Sequence, residues 1–367
     1  MINENIVNDI SMESLSIHAK EILLEKNPFK NLKIENYRYA QLHKSIKPHT
    51  NILNSSLNED LTQLATEISN NSFIEIDLTS AIDNWDFSNS DSFFRVSSLV
   101  KRSSISINLD DFKETSLFLN ISNIPKNITI KKKDPQLKTL ILLNYNNDDE
   151  IPKSIFFDIA ENANLEIMQY DISNHKSFLY FEVRQANNSK FNFVSFQSNN
   201  THIRNEFFSY LGEKCNFELS GLNFNNFGVN DNYSFIQHAK PSSSSREVFK
   251  SIVNNGAITN FQGKIYVDSI AQKTDGYQMS RSLLLDNISK ANNKPELEIY
   301  ADDVKCSHGS TVSKIDQDQI FYFNSRGISK EVANLLLQKA FIIETLDTIH
   351  AKDIKDFSIK LLDNLLT

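Results

Sequence analysis

The chain has 367 residues, 40% hydrophobic and 23% charged, enough to bury a large core without disulfides. Its formal net charge of -8, from 38 basic and 46 acidic residues, disfavours nucleic acid as a partner, because phosphate binding needs a basic footprint. Two Cys exclude a disulfide scaffold and a self-contained four-Cys zinc or iron–sulfur site, and 8 Gly with 7 Pro exclude collagen-like and Pro-rich classes.

In chain order, residues 1–72 read as a helical region. Met12–Lys26 and Leu57–Ile68 carry apolar residues at helical spacing, separated by an aperiodic stretch. The start lacks the basic-then-apolar pattern of a signal peptide, and no run approaches a membrane span, so cytoplasmic localisation without membrane contact is expected.

From residue 73 the texture becomes alternating: Phe73–Leu78, Ser104–Leu109 and Asn127–Ile130 are strand-like, and the pattern persists to Glu296–Tyr300. Three segments share a polar turn, a small residue, then alternating apolar positions. Their small residues, Ala163, Ser189 and Cys215, recur 26 residues apart. A fixed period with strand-only texture predicts a mainly β fold, a parallel β-helix in which each coil packs on its neighbours. A β-sandwich is the competing reading and wants more Gly and Pro turns than the chain has. The expected core spans 73–312, followed by a helical region over 313–367. Asp316 and Ser329 are placed to cap helices, and Val332, Leu335, Leu336, Ile343 and Leu346 form an apolar stripe. A further helix is expected over Ile354–Leu366.

No phosphate loop, dinucleotide fingerprint, nucleophile elbow or HExxH helix occurs, so no ATP hydrolysis is expected of this chain by itself. Cys306 and His308 follow an alternating strand. In an extended chain they project to one face, with Cα atoms about 7 Å apart. They could serve as two metal ligands, as a Cys–His nucleophile pair, or simply as structural residues. Two ligands do not complete a metal site. Cys215 reads as structural, since Ala163 and Ser189 fill the same slot. His202 and His238 read as core or surface residues, Ser242–Ser245 as a turn linker, and Lys131–Lys133 as a solvated loop.

The ordered succession Phe261–Ile265, Ala271–Asp275, Ser282–Leu285, Pro295–Gly309 and Phe321–Ile328 resembles the SufB/SufD family of iron–sulfur cluster assembly proteins. Asn27–Lys30 followed by Ile34–Tyr39, together with the low Cys content, resembles its SufD branch. The resemblance implies a right-handed parallel β-helix flanked by helical ends, and a non-enzymatic scaffold subunit. It implies pairing with SufB and docking of the ATPase SufC on the C-terminal helical part, where Leu335, Leu336 and Ile343 lie. It also implies a nascent iron–sulfur cluster shared transiently with SufB, none being held stably by this chain alone. His308 is the expected ligand and Cys306 a weaker one. Two rivals stand beside this: a catalytically silent partner of SufB, and a β-helix carbohydrate-active enzyme, which would need clustered carboxylates and aromatic subsites.

Overall fold

The computed structural model describes residues 104–121, 127–144, 153–172, 176–198 and 201–366. The two expected N-terminal helices, the 73–78 strand and the opening motifs at 27–39 lie outside the described residues. The strands in chain order are β1 (Ser104–Asn108), β2 (Ser116–Asn120), β3 (Asn127–Lys132), β4 (Lys138–Asn144), β5 (Lys153–Ile159), β6 (Asn164–Asp171), β7 (Ser177–Gln185) and β8 (Lys190–Ser198). They continue as β9 (His202–Leu211), β10 (Asn216–Asn225), β11 (Val229–His238), β12 (Ser244–Val253), β13 (Ile258–Val267), β14 (Asp275–Leu284), β15 (Lys290–Ile299) and β16 (Lys305–Lys314). Three helices follow: α1 (Gln317–Ser325), α2 (Lys330–Leu346) and α3 (Lys352–Leu366).

Odd strands form one eight-stranded sheet and even strands another. The pairings are parallel throughout. Each coil therefore gives one strand to each sheet, and the two sheets face each other as the parallel β-helix that the 26-residue repeat predicts. The repeat also sets the register. Ala163, Ser189 and Cys215 immediately precede β6, β8 and β10, and Ser243 and Thr274 continue the column before β12 and β14. All five are buried, so the slot admits only small side chains.

One residue earlier, Asn162, Asn188, Lys214, Ser242 and Lys273 all have positive φ, between 55° and 65°. This left-handed bend turns each backbone N–H toward the next coil. Asn188 donates to the Glu213 carbonyl at 2.8 Å, and Ser242 to the Gln272 carbonyl at 2.9 Å. Asn, at two of the five positions, tolerates this region better than most residues; Lys214, Ser242 and Lys273 adopt it as well, so these coils turn here without glycine. The Ser242–Ser245 segment is accordingly half turn and half strand: Ser244 and Ser245 already belong to β12.

The space between the sheets is filled by Phe in the middle coils. Phe181 stacks on Phe207 at 5.0 Å and Phe191 on Phe217 at 6.0 Å, while Phe193 meets Phe181 and Phe207 edge-on. Lys132, expected in a solvated loop, is instead fully buried at the end of β3 and pairs with Asp110 at 2.7 Å. Its N–H groups also reach the Asp134 carbonyl. A run of three charges does not reveal that the middle position faces a carboxylate one coil away. His202 and His238 are both buried core residues, and burial lowers them to about 3 and about 4 respectively.

The helices begin at the expected caps. Asp316 accepts from the Asp318 N–H, and Ser329 from the Val332 N–H. α2 and α3 lie across the outer face of the even sheet. Ile342, Leu346, Ile354, Leu361 and Leu362 pack on residues of several coils, including Phe118, Tyr170, Phe196, Phe224 and Leu283. The Tyr170 hydroxyl meets Ser358 Oγ at 2.6 Å, and Asn192 Nδ2 donates to the Thr348 carbonyl at 2.8 Å. Coils touch only their neighbours, but the helices strap many coils together. The face of α2 that packs is Ala333, Gln338, Ile342, Thr345 and Leu346. Of the expected stripe only Leu346 lies on this face: Leu335 and Ile343 are half-buried, while Val332 is 47% and Leu336 43% exposed. No described helix is long and apolar enough to cross a membrane.

Candidate functional site at the last coil

β15 and β16 end their respective sheets, and among the described residues no strand pairs with their outer edges. Both are ten residues long, so the final coil offers two long rows of unpaired backbone groups. Cys306 and His308 sit on β16, in register with Gly276 and Gln278 of β14. Alternate residues of β14, Gly276, Gln278, Ser280 and Ser282, are all buried. They lie on the inner face of the even sheet, continuing the rows of Phe217, Leu219 and Phe249. By the same register Cys306 and His308 belong to that face, at the open end of the solenoid.

The two differ in environment. Cys306 is half-buried and packs against the interior core, as do Leu297 and Val304. Its sulfur lies over Gly276: a Cβ there would stand 3.2 Å from Sγ. Burial pushes the Cys306 thiol up, with a further push from Asp275 and a counteracting hydrogen bond from the Gly276 backbone. The thiol therefore stays protonated at neutral pH until something electropositive draws the proton off. His308 is exposed and stands free to meet a partner or a metal ion. Among the described residues no group of three His, Cys, Asp or Glu side chains gathers to hold a metal.

Behind this pair the interior changes character. The row that reads Phe193 and Leu219 in the middle coils becomes Glu247, Gln278 and His308 toward the open end. Glu247 is fully buried and is raised to about 7 by that burial, against the hydrogen bond from Gln278. Gln278 Nε2 donates to Glu247 Oε2 at 2.6 Å. Ser280 Oγ bridges to Asn293 Oδ1 of the facing sheet at 3.0 Å. Sequence reading missed Glu247 and Gln278, because the 26-residue period lapses after Cys215 as the turns lengthen. The available signal was the column of small residues, which Ser243 and Thr274 extend to β12 and β14.

The expected SufC-side residues Leu335, Leu336 and Ile343 lie on α2. Near them the surface of α1 and α2 exposes Phe321 (74%), Tyr322 (57%), Val332 and Leu336. These large apolar side chains have no covering element among the described residues.

Residues 141–341 match the family described as SUF system FeS cluster assembly, SufBD core domain. The chain is 41% identical over 127 residues to the iron–sulfur cluster assembly protein SufD of Escherichia coli, covering 35% of this chain and 30% of that protein. It is 42% identical over 121 residues to an iron–sulfur cluster assembly SufBD family protein of Synechocystis (33% and 27% of the two chains). It is 40% identical over 127 residues to the chloroplastic protein ABCI7 of Arabidopsis thaliana (34% and 27%). The matched stretch spans about a third of each of these relatives. The family match, over more than half of the chain, and the β-helix with its polar, open final coil lead to one assignment: this chain belongs to the SufBD core family of iron–sulfur cluster assembly proteins, on the side of SufD.

Proposed function

We propose that this chain is a non-catalytic scaffold subunit that forms a heterodimer with a SufB-type partner and, with the ATPase SufC, assembles a nascent iron–sulfur cluster at the junction. The observation that carries the reading is the placing of Cys306 and His308 on β16, the edge strand of the last coil. Two open ten-residue edges favour continuation of both sheets by another chain, and the same event would cover the two candidate ligands. A neutral imidazole at His308 binds iron through one ring nitrogen. The partner supplies the remaining ligands, since His308 and Cys306 are too few to hold iron alone. The cluster is cargo, formed there and passed on.

The exposed apolar side chains on α1 and α2 suit the SufC side. Leu336 and Val332 present surface that a globular partner would bury, and Leu335 and Ile343 flank it. The helices are tied to the even sheet, so a push on α2 from a nucleotide-driven partner would be passed to the coils beneath.

The test is co-expression with candidate SufB and SufC chains, followed by measurement of the mass of the purified assembly. A heterodimer with SufB that binds SufC supports the reading. A chain that remains apart from SufB at micromolar concentration contradicts it. The silent-partner reading differs only at the ligands, and cluster content in a His308 variant separates the two.

A further inference from the structure

Gln278 is buried completely, in the coil directly behind His308 and in register with it. Neighbouring strands lie about 4.8 Å apart, so side chains of this pair on one face are within reach of each other. Three features hold the Gln278 amide in one pose. Its Nε2 donates to Glu247 Oε2 at 2.6 Å. It lies in a hollow of the facing sheet that exists only because residue 263 is glycine: a Cβ at Gly263 would stand 2.3 Å from Nε2. Glu247 itself is fixed by complete burial. With the nitrogen committed to Glu247, the carbonyl oxygen Oε1 is left buried and without a hydrogen-bond partner. An unmet buried acceptor costs about 1–3 kcal/mol, so a donor is expected nearby. The coil that follows offers His308.

We propose that Gln278 is a positioning residue for His308: its Oε1, unpartnered in this structure, accepts the N–H of one ring nitrogen when the exposed ring turns onto it, fixing the tautomer and turning the lone pair of the other nitrogen outward toward incoming iron. Imidazole ligands are generally oriented in this way by a second hydrogen bond on the opposite nitrogen. Glu247 acts one step further back by locking the amide. The register places Leu219 in Glu247's row one coil earlier, so the fold tolerates an apolar side chain there. The carboxyl group is spent on orientation rather than packing.

This inference rests on the reading of His308 as a ligand, and its test separates the two. The full-length chain is labelled with ring-15N histidine, the His308 signal is assigned by its loss in His308→Gln, and the tautomer populations are read at pH 8. One tautomer should dominate in the wild type. In Gln278→Met, which keeps the volume but removes the acceptor, and in Glu247→Leu, which frees the amide, the populations should shift toward those of an unconstrained histidine. Should Gln278→Met fail to fold, Glu247→Leu decides alone. Unchanged populations in a folded variant overturn the proposal. In the assembled complex, Gln278→Met should lower apparent iron affinity about 10- to 100-fold, the usual effect of losing such a partner. A tautomer shift with wild-type iron content in both Gln278→Met and His308→Ala would keep the hydrogen bond but remove the ligand role. Wild-type iron affinity in Gln278→Met, beside a loss in His308→Ala, would overturn the positioning role.

Discussion

Gly221 shows how tightly the interior rows are matched. It lies in β10, between Ser195 of β8 and Phe249 of β12, in the row that points between the sheets. The Phe249 ring occupies the volume a side chain at 221 would need: a Cβ there would stand 2.2 Å from both Cδ1 and Cε1 and 2.9 Å from Cγ. Phe249 is 1% exposed, with Phe261 at 4.8 Å and Phe207 at 6.3 Å, so its ring has nowhere to swing. The backbone at 221 cannot retreat either, because it is hydrogen-bonded into the sheet on both sides. Gly221→Ala is therefore an overpacking change, expected to cost about 1–3 kcal/mol of unfolding free energy, toward the upper end because both partners are fixed. Adding Phe249→Leu should return part of that loss, with a coupling energy of about 0.5–3 kcal/mol between the two sites. Urea unfolding of the wild type, both single variants and the double variant measures the cycle. A Gly221→Ala protein within about 0.5 kcal/mol of the wild type, the spread of ordinary surface changes, would refute this account of the interior.

Other outcomes follow from the same structure. Cys215→Ala should fold and support cluster assembly as the wild type does, since Ala163 fills the equivalent slot; iron content and thermal stability measured together check this. His238 is held neutral by burial, at about 4 against an ordinary 6.5. The unfolded chain therefore binds the proton more readily, and stability falls as pH drops from about 6.5 to about 4. At about 1.4 kcal/mol per unit the loss reaches roughly 3 kcal/mol; a His238→Gln variant should lack that component, and parallel losses in the two proteins would contradict it. Leu336→Asp and Phe321→Asp lie on exposed surface, so they should abolish SufC binding while leaving the melting temperature within about 2 °C. Retained binding would move the SufC surface elsewhere.

Much of the fold was legible because a solenoid writes its geometry into a short period. Ala163, Ser189 and Cys215 repeat at the coil length, and the residue before each bends the chain. The repeat therefore reported turn, column and strand start together. Where turns lengthen, as between Cys215 and Ser243, the period fails and the row beyond it is hidden. Glu247 and Gln278 were invisible for that reason: only register places them behind His308. The pair Cys306 and His308 was readable from strand alternation, but the exposure of one and the partial burial of the other depend on the coil's being the last. Lys132 was misread because its partner, Asp110, lies one coil away rather than nearby in sequence. The stripe on α2 was displaced for a related reason. An amphipathic pattern gives an apolar face, yet α2 carries apolar residues on two faces, one packed on the even sheet and one turned outward.

The central claim is that His308, at the open edge of the β-helix, contributes a ligand to a cluster completed by a partner chain. The most direct measurement is iron and acid-labile sulfide per complex, with the wild type and His308→Ala each purified together with SufB and SufC. An exposed edge-strand histidine packs against little, so the variant complex should assemble in full and bind SufC normally. Its iron and sulfide should fall severalfold or more, with a smaller loss in Cys306→Ala. Wild-type iron and sulfide in the intact His308→Ala complex would contradict the claim and leave this chain as a structural partner only.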